Sequence, residues 1–435
     1  MQAGKAVSVF EAGRIVVPRR RTFESQRAER KGVHWPVALF LIALVIPWVF
    51  YIGSLRLSVY RLVLLLTFLP CLIQWIAGKA GRIRIADIAL LLYLFWVTLS
   101  FVVIHGWESS FQSAGIIILE TMGPYLLARC YVRDAEDFYN VVRLLFRIVV
   151  ALIPFAIIEF VSGVNVSREL FAIVLPTLTD AMPTRLGLTR VQSMFDHPIL
   201  FGVFTGSIFA LVHLVLGYRR DTVQRFSMTA IVGATSMLSV SSGPLTALVT
   251  QGFLLFWNAL LSAFRFRWIL LIALVTFTSL AIELVANRSL LDIVVTHFLF
   301  DPGSYWFRKV IWTYGTASAL NHPLFGTGLG DWERPPWMSP SIDNFWLLQA
   351  VHNGLPAAFL ILLAFGSIFL AVGLKKGLDD KLDNYRTGFL IAMTGFFQVG
   401  WTVAFWDAAY VLFVFLMGSG VWILDVETKK KSPCS

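Results

Sequence analysis

IADIALLLYLFWVTLSFVVIH, residues 85–105, holds a single acid, Asp87, and neither Lys nor Arg. As a helix, a run of that length reaches across the roughly 30 Å hydrocarbon core of a bilayer. Working outward in both directions, comparable runs recur. About twelve spans are expected, over 35–53, 59–77, 85–105, 113–130, 144–162, 197–217, 227–242, 244–263, 268–286, 344–373, 387–405 and 407–424. In the pair at 227–263 the stretch Ser241-Ser242-Gly243-Pro244 breaks the apolar run, so a re-entrant turn is the alternative there. Over 435 residues the chain is 57% hydrophobic and 14% charged, with a mean hydropathy of +0.73. That composition excludes a soluble globular protein and points to an all-α polytopic membrane protein, because only helices satisfy their backbone within a span of this kind.

The basic residues set the expected orientation. Segments 1–34, 78–84, 129–147, 218–226, 264–267, 374–386 and 425–435 together hold 27 of the 36 Lys and Arg, and all fall on one side of the twelve-span layout. By the positive-inside rule that side is cytoplasmic, and so are both termini. The expected organisation is a basic cytoplasmic tail over 1–34, a membrane domain over 35–424 and a cytoplasmic tail over 425–435. The first segment is polar and basic, without the short apolar core of a signal peptide. The net charge of +10 is thus mainly a topology signal and gives little support to nucleic-acid binding. Cys71, Cys130 and Cys434 are scattered, and the seven His are dispersed, so neither a disulfide framework nor a metal site is expected.

Two outer loops are long, about 163–196 and about 287–343. Such loops in compact proteins are usually functional or disordered, and Trp306, Trp312, Trp332, Trp337 and Trp346 in and beside the second argue against disorder. The spacing predicts a short helix over 305–320 that puts Tyr305, Arg308 and Trp312 on one face. Asn321-His322-Pro323 should end it, since proline disfavours the helical conformation of the residue before it. Phe325-Gly326-Thr327-Gly328-Leu329-Gly330 then has the freedom for a tight turn.

Of the nine basic residues on the outer side, eight are arginine, the residue that grips phosphate oxygens bidentately. Arg56 and Arg61 read as snorkelling at span ends, and Arg334 as a structural residue of a Pro-rich turn. Arg185, Arg190 and Arg308 are the candidates for a lipid-linked phosphate or diphosphate. Asp196 and His197 stand where loop meets bilayer: His197 is a candidate base, and Asp196 a candidate cap for the helix that follows. Asp343 and Asn344 begin the tenth span in the same way, with Asp343 able to accept a hydroxyl proton or to cap. His352 can join a polar pocket with Gln349 and Asn353, or simply pack. Glu120 lies in the middle of a span, where an ionisable group is either functional or paired with an interior arginine.

Taken in order, Arg185-x-Gly-x-x-Arg190-Val, His197-Pro198 and Gly202, then Arg308, Trp312, Pro323-Leu324-Phe325-Gly326-Thr327-Gly328, Asp343-Asn344, Leu347 and Gly354-Leu355-Pro356-Ala357 resemble the O-antigen ligase/polymerase superfamily. The resemblance covers about 170–360. Asp343 stands where the ligase branch has His, and Ser242-Gly243-Pro244 where that branch tends to have Ser-Arg, so the chain looks more like the exopolysaccharide repeat-unit polymerases. The resemblance implies a C-type glycosyltransferase-like membrane fold with two larger periplasmic loops, in the inner membrane of a bacterium. It also implies metal-independent, cofactor-free, inverting transfer between undecaprenyl-diphosphate-linked glycans, with a flippase and a chain-length regulator as partners. In that reading Asp343, His197, Arg308 and Arg190 are catalytic, and Arg185, Tyr305, Trp312, Asn344, His352 and Glu120 contact substrate. The alternatives are a ligase that transfers glycan to a lipid A core and, in another class, a polysaccharide transporter or flippase, which would carry repeat symmetry and charge at the midplane of several spans.

Overall fold

A computed structural model describes residues 32–53, 55–177, 182–285 and 302–427. The expected N-terminal tail up to residue 31, the 287–301 part of the second loop and residues 428–435 lie outside the described residues. The described chain is mostly helical, with one two-stranded hairpin. Among the described residues seven helices are long and apolar enough to cross a membrane: Val59–Ile76, Ile85–His105, Ala135–Ser162, Pro198–Leu216, Arg267–Leu284, Leu355–Leu374 and Asp407–Asp425. The protein is therefore an α-helical membrane protein.

Burial separates these helices. Pro198–Leu216 and Asp407–Asp425 are each 89% buried and form the centre, whereas Arg267–Leu284 is only 6% buried. The others are partly buried and apolar on both faces. Along Val59–Ile76, Tyr60, Val63, Leu64, Thr67 and Cys71 point inward, while Leu65, Leu66, Leu69 and Ile73 point outward. An outer face of that kind suits hydrocarbon rather than water. Around the centre, Ile85–His105 packs between Leu355–Leu374 and Trp107–Tyr131, and Trp107–Tyr131 packs in turn on Val59–Ile76 and Asp407–Ser419.

Several expected spans take a different form. The run at 35–53 is helical only over Trp35–Ala43; Pro47 lacks an N–H and restricts Ile46, and the chain turns into an antiparallel hairpin, Val49–Ile52 with Leu55–Ser58. The run at 344–373 is two helices, Phe345–Asn353 and Leu355–Leu374. Gly354 separates them at φ 84°, and a Cβ there would stand 1.9 Å from the carbonyl oxygen of Leu324. The Leu355 N–H donates to Pro323 O at 2.8 Å on the same joint. The pair at 227–263 is two helices, Thr222–Met237 and Ser242–Leu260, parted at the serines that break the apolar pattern. Residues 113–130 belong to Trp107–Tyr131 and residues 387–399 to Asp380–Val399. The helix expected over 305–320 runs over Pro302–Asn321 and stops before His322-Pro323, as the proline requires.

One buried ion pair ties three of these pieces together. Arg129, 2% exposed at its side chain, bonds the fully buried carboxylate of Asp87, which also accepts from the Tyr125 hydroxyl. The second guanidinium nitrogen of Arg129 donates to Ala80 O at 3.2 Å and Arg82 O at 2.9 Å, closing the turn before Ile85–His105. Breaking such a pair from one side strands a charge in a low-dielectric interior. Arg129→Met is expected to destabilise the fold by about 3–5 kcal/mol, read as a lowered melting temperature of the detergent-purified protein.

Candidate functional site

The site starts with a carboxylate that is not in contact with it. Glu159, buried in Ala135–Ser162, accepts the N–H of Gln192 at 3.0 Å and of Ser193 at 2.8 Å, one on each oxygen. Asn165 adds a bond to Ser193 O at 2.7 Å, and the Val191 N–H donates to Leu238 O at 3.1 Å. An irregular segment among membrane helices needs such partners for its backbone. These bonds fix Arg190 at one end of the segment and Asp196 and His197 at the other.

Arg185 precedes them in a tight turn. Arg185 and Leu188 exchange backbone hydrogen bonds at 3.0 and 2.9 Å, with Leu186 at φ 54° and Gly187 at φ 75°. Left-handed backbone at both central positions is the geometry of a type I′ turn. Leucine there is strained, by about 1 kcal/mol or more. Arg190 is 8% exposed and donates from Nη2 to Ser241 Oγ at 3.2 Å; its Nε has no hydrogen-bond partner among the described residues, and no carboxylate pairs with it there. Burial first, and then the charge of Arg185, push the Arg190 guanidinium down to about 10, so it stays charged at neutral pH in a place that favours an anion.

Arg308 arrives from Pro302–Asn321, donating to Thr402 O at 3.3 Å and Ser242 Oγ at 3.4 Å. Trp312, one turn on, meets Trp401 with ring centres 5.7 Å apart, so both side chains face the 401–402 segment. Tyr305 is part of the same helix, but its side chain lies outside the described residues. Arg185, Arg308, Asp343, Ser241 and Ser242 line one open cleft of about 380 Å³. Arg190 reaches its wall through Ser241. Residues far apart in sequence thus give a cleft lined by two arginines and one carboxylate, with a third arginine behind its wall.

The cap positions are redistributed relative to expectation. His197, not Asp196, caps the helix that begins at Pro198: its Nδ1 accepts the Ile199 N–H at 3.1 Å. Asp196 is instead an ion-pair partner, 3.2 Å from both Arg56 and Arg168. Asn344, not Asp343, caps Phe345–Asn353 by accepting the Leu347 N–H at 3.0 Å, and among the described residues Asp343 accepts the Ser341 hydroxyl at 2.8 Å. His352 and Glu120 lie outside the cleft. The Nδ1 of His352 is 2.6 Å from Gly328 O, where the Phe325–Gly330 turn docks on the end of Phe345–Asn353 through Thr327 N to Val351 O at 2.8 Å. Glu120 meets the interior arginine that its depth called for: Arg61 at 2.7 Å, with the Tyr60 hydroxyl at 2.6 Å. Sequence reasoning missed Glu159 and Asp407, and read Arg56 and Arg61 as snorkelling when each holds a carboxylate. The signal for Asp407 is an acid directly after Trp406 at the start of a span; the contact of the His197 ring with Trp406, 5.9 Å between centres, brings the two segments together.

Burial, and then Arg190 and Arg185, push the His197 imidazole down to about 4. Between that value and the ordinary 6.5 the unfolded chain holds a proton that the folded one does not, so stability rises with pH across this window and levels off above it. Thermal melts are expected to show that rise, and His197→Gln to flatten it. Nitrogen NMR of the labelled imidazole is expected to find a neutral ring protonated on Nε2 at pH 6. No protein-family model matches the chain and no curated protein sequence matches it, so the reading of function rests on the cleft itself.

Proposed function

We propose that the protein polymerises undecaprenyl-diphosphate-linked oligosaccharide repeat units into exopolysaccharide or O-antigen at the periplasmic face of a bacterial inner membrane. The observation that carries this is one cleft lined by Arg185, Arg308 and the carboxylate of Asp343, with Arg190 held behind its wall through Ser241. In the twelve-span layout with both termini cytoplasmic, this cleft opens on the periplasmic side, within reach of a polyprenyl tail held in the bilayer.

The chemistry needs little beyond positioning and charge. The hydroxyl oxygen of the acceptor sugar attacks the anomeric carbon of the donor; that C–O bond forms as the bond from the carbon to the diphosphate oxygen breaks. The diphosphate leaves with the electron pair, and the three guanidiniums stabilise the charge that develops on it. Fixed positive groups of this sort usually supply the largest share of such a barrier reduction. Attack opposite the leaving group inverts the anomeric centre.

The hydroxyl proton goes to Asp343. Between the two candidate bases the hydrogen bonds favour it. The lone pair of His197 on Nδ1 is committed to the Ile199 N–H, which leaves the proton on Nε2, and the ring does not line the cleft. Asp343 keeps one carboxylate oxygen without a hydrogen-bond partner among the described residues and lies in the same cleft as Arg308.

Arg190→Ala and Arg308→Ala are each expected to lower the polymerisation rate by about 10²–10³, and Asp343→Asn to abolish it. The measurement is a gel of cell-surface glycan from a deletion strain carrying each variant at matched protein level. Single repeat units in place of a ladder are expected; full ladders from both arginine variants would end this reading. Loss of a ladder with uncapped core would instead mark a ligase.

A further inference from the structure

A second cavity, of about 470 Å³, shares no lining residue with the arginine cleft but is built on the same segment: Met194, Asp196 and Leu200 line it, while Ile199 lines the cleft. The hairpin and the start of Asp407–Ser419 complete its walls. Its charged lining balances, Arg56 and Arg61 against Asp196 and Asp407. Arg56 is 3.2 Å from Asp196 and Arg61 is 3.4 Å from Asp407. The groups behind the wall balance as well, Glu120 against Arg61 and Arg168 against Asp196.

A neutral but strongly polar cavity selects its occupant. A phosphate gains no net attraction there, because each guanidinium already has a carboxylate beside it. A hydrocarbon tail would leave ionised groups without partners. A polyol fits, because hydroxyls donate to carboxylates and accept from guanidiniums. Two atoms await such a partner: Ser58 Oγ, buried, and Asp407 Oδ2 have no hydrogen-bond partner among the described residues. The wall also offers Trp48, its ring locked by a bond to Phe171 O at 3.0 Å and by edge contact with the Phe171 ring at 5.4 Å. A fixed indole gives a sugar ring a flat apolar surface.

We propose that this cavity binds neutral sugar residues of the acceptor glycan, so that acceptor and diphosphate-linked donor meet across the segment that carries His197. The assignment of one cavity to the acceptor rests on the polymerase reading; the glycan chemistry of the cavity does not. It is tested by thermal stabilisation of the whole detergent-purified chain with two probes. One is inorganic pyrophosphate; the other is the repeat-unit oligosaccharide released by mild acid from the host's own surface polysaccharide. Trp48→Ala and Ile46→Trp are expected to weaken the oligosaccharide response by about tenfold or more, the loss of roughly one good contact, and to leave the pyrophosphate response within about twofold. Arg190→Ala is expected to do the reverse. Ile46→Trp fills the cavity from its half-buried rim without touching an ion pair, so it serves if Trp48→Ala fails to fold. An unchanged oligosaccharide response in the folded variants overturns the proposal, as does displacement of the oligosaccharide by phosphatidylethanolamine micelles. Absence of any pyrophosphate response in the wild-type protein removes the donor reading, while loss of oligosaccharide binding in the cavity variants still supports a glycan site there.

Discussion

Glu159 is the hinge of the arrangement. It sits in a helix, buried, and its two oxygens hold the backbone of Gln192 and Ser193. Without it, two peptide N–H groups would lie buried with no partner, at a cost of about 1–3 kcal/mol each. With it, an irregular segment can run through the interior of a helical membrane protein. Arg190, Asp196 and His197 hang on that segment, and each turns toward different company: Arg190 toward Ser241, Asp196 toward Arg56 and Arg168, His197 toward Ile199 and Trp406.

The result is a separation of charge by place. On one side of the segment positive charge is in excess, and burial makes Arg190 favour an anion more strongly than a surface arginine would. On the other side arginines and carboxylates are matched one for one. Burial, and then Asp407, raise the Asp196 carboxyl, while Arg168 and Arg56 pull it back.

Much of this was legible in the residues, for identifiable reasons. Apolar runs and the end of the helix at Asn321 follow from local chemistry, and the structure has them. Arg185, Arg190 and Arg308 stand out because eight of the nine basic residues expected on that side are arginine; Arg185 and Arg308 line one cleft, and Arg190 stands behind its wall. What sequence could not supply is partnership across distance. Arg61 and Glu120 are 59 positions apart, and Arg56 and Asp196 are 140 apart; nothing local marks either pair. Cap assignment failed by one residue at both Asp196 and Asp343, since adjacent polar residues at a helix start are interchangeable on paper and only backbone direction selects the one that bonds. The unbroken runs at 35–53 and 344–373 misled because hydropathy averages over the single proline or glycine at which the chain turns.

Gly354 carries a consequence for how the protein is made. Its Cα is pressed against the carbonyl of Leu324, and the Leu355 amide is bonded to Pro323. During synthesis Ile85–His105, whose Trp96 donates to Leu324 O at 3.0 Å and stacks on Phe325, leaves the ribosome well before the Pro323–Gly330 stretch, while Phe345–Asn353 and Leu355–Leu374 leave it after. One side of the dock is therefore in place when the stretch emerges, and the joint at Gly354 closes only once the following helices have folded back over it.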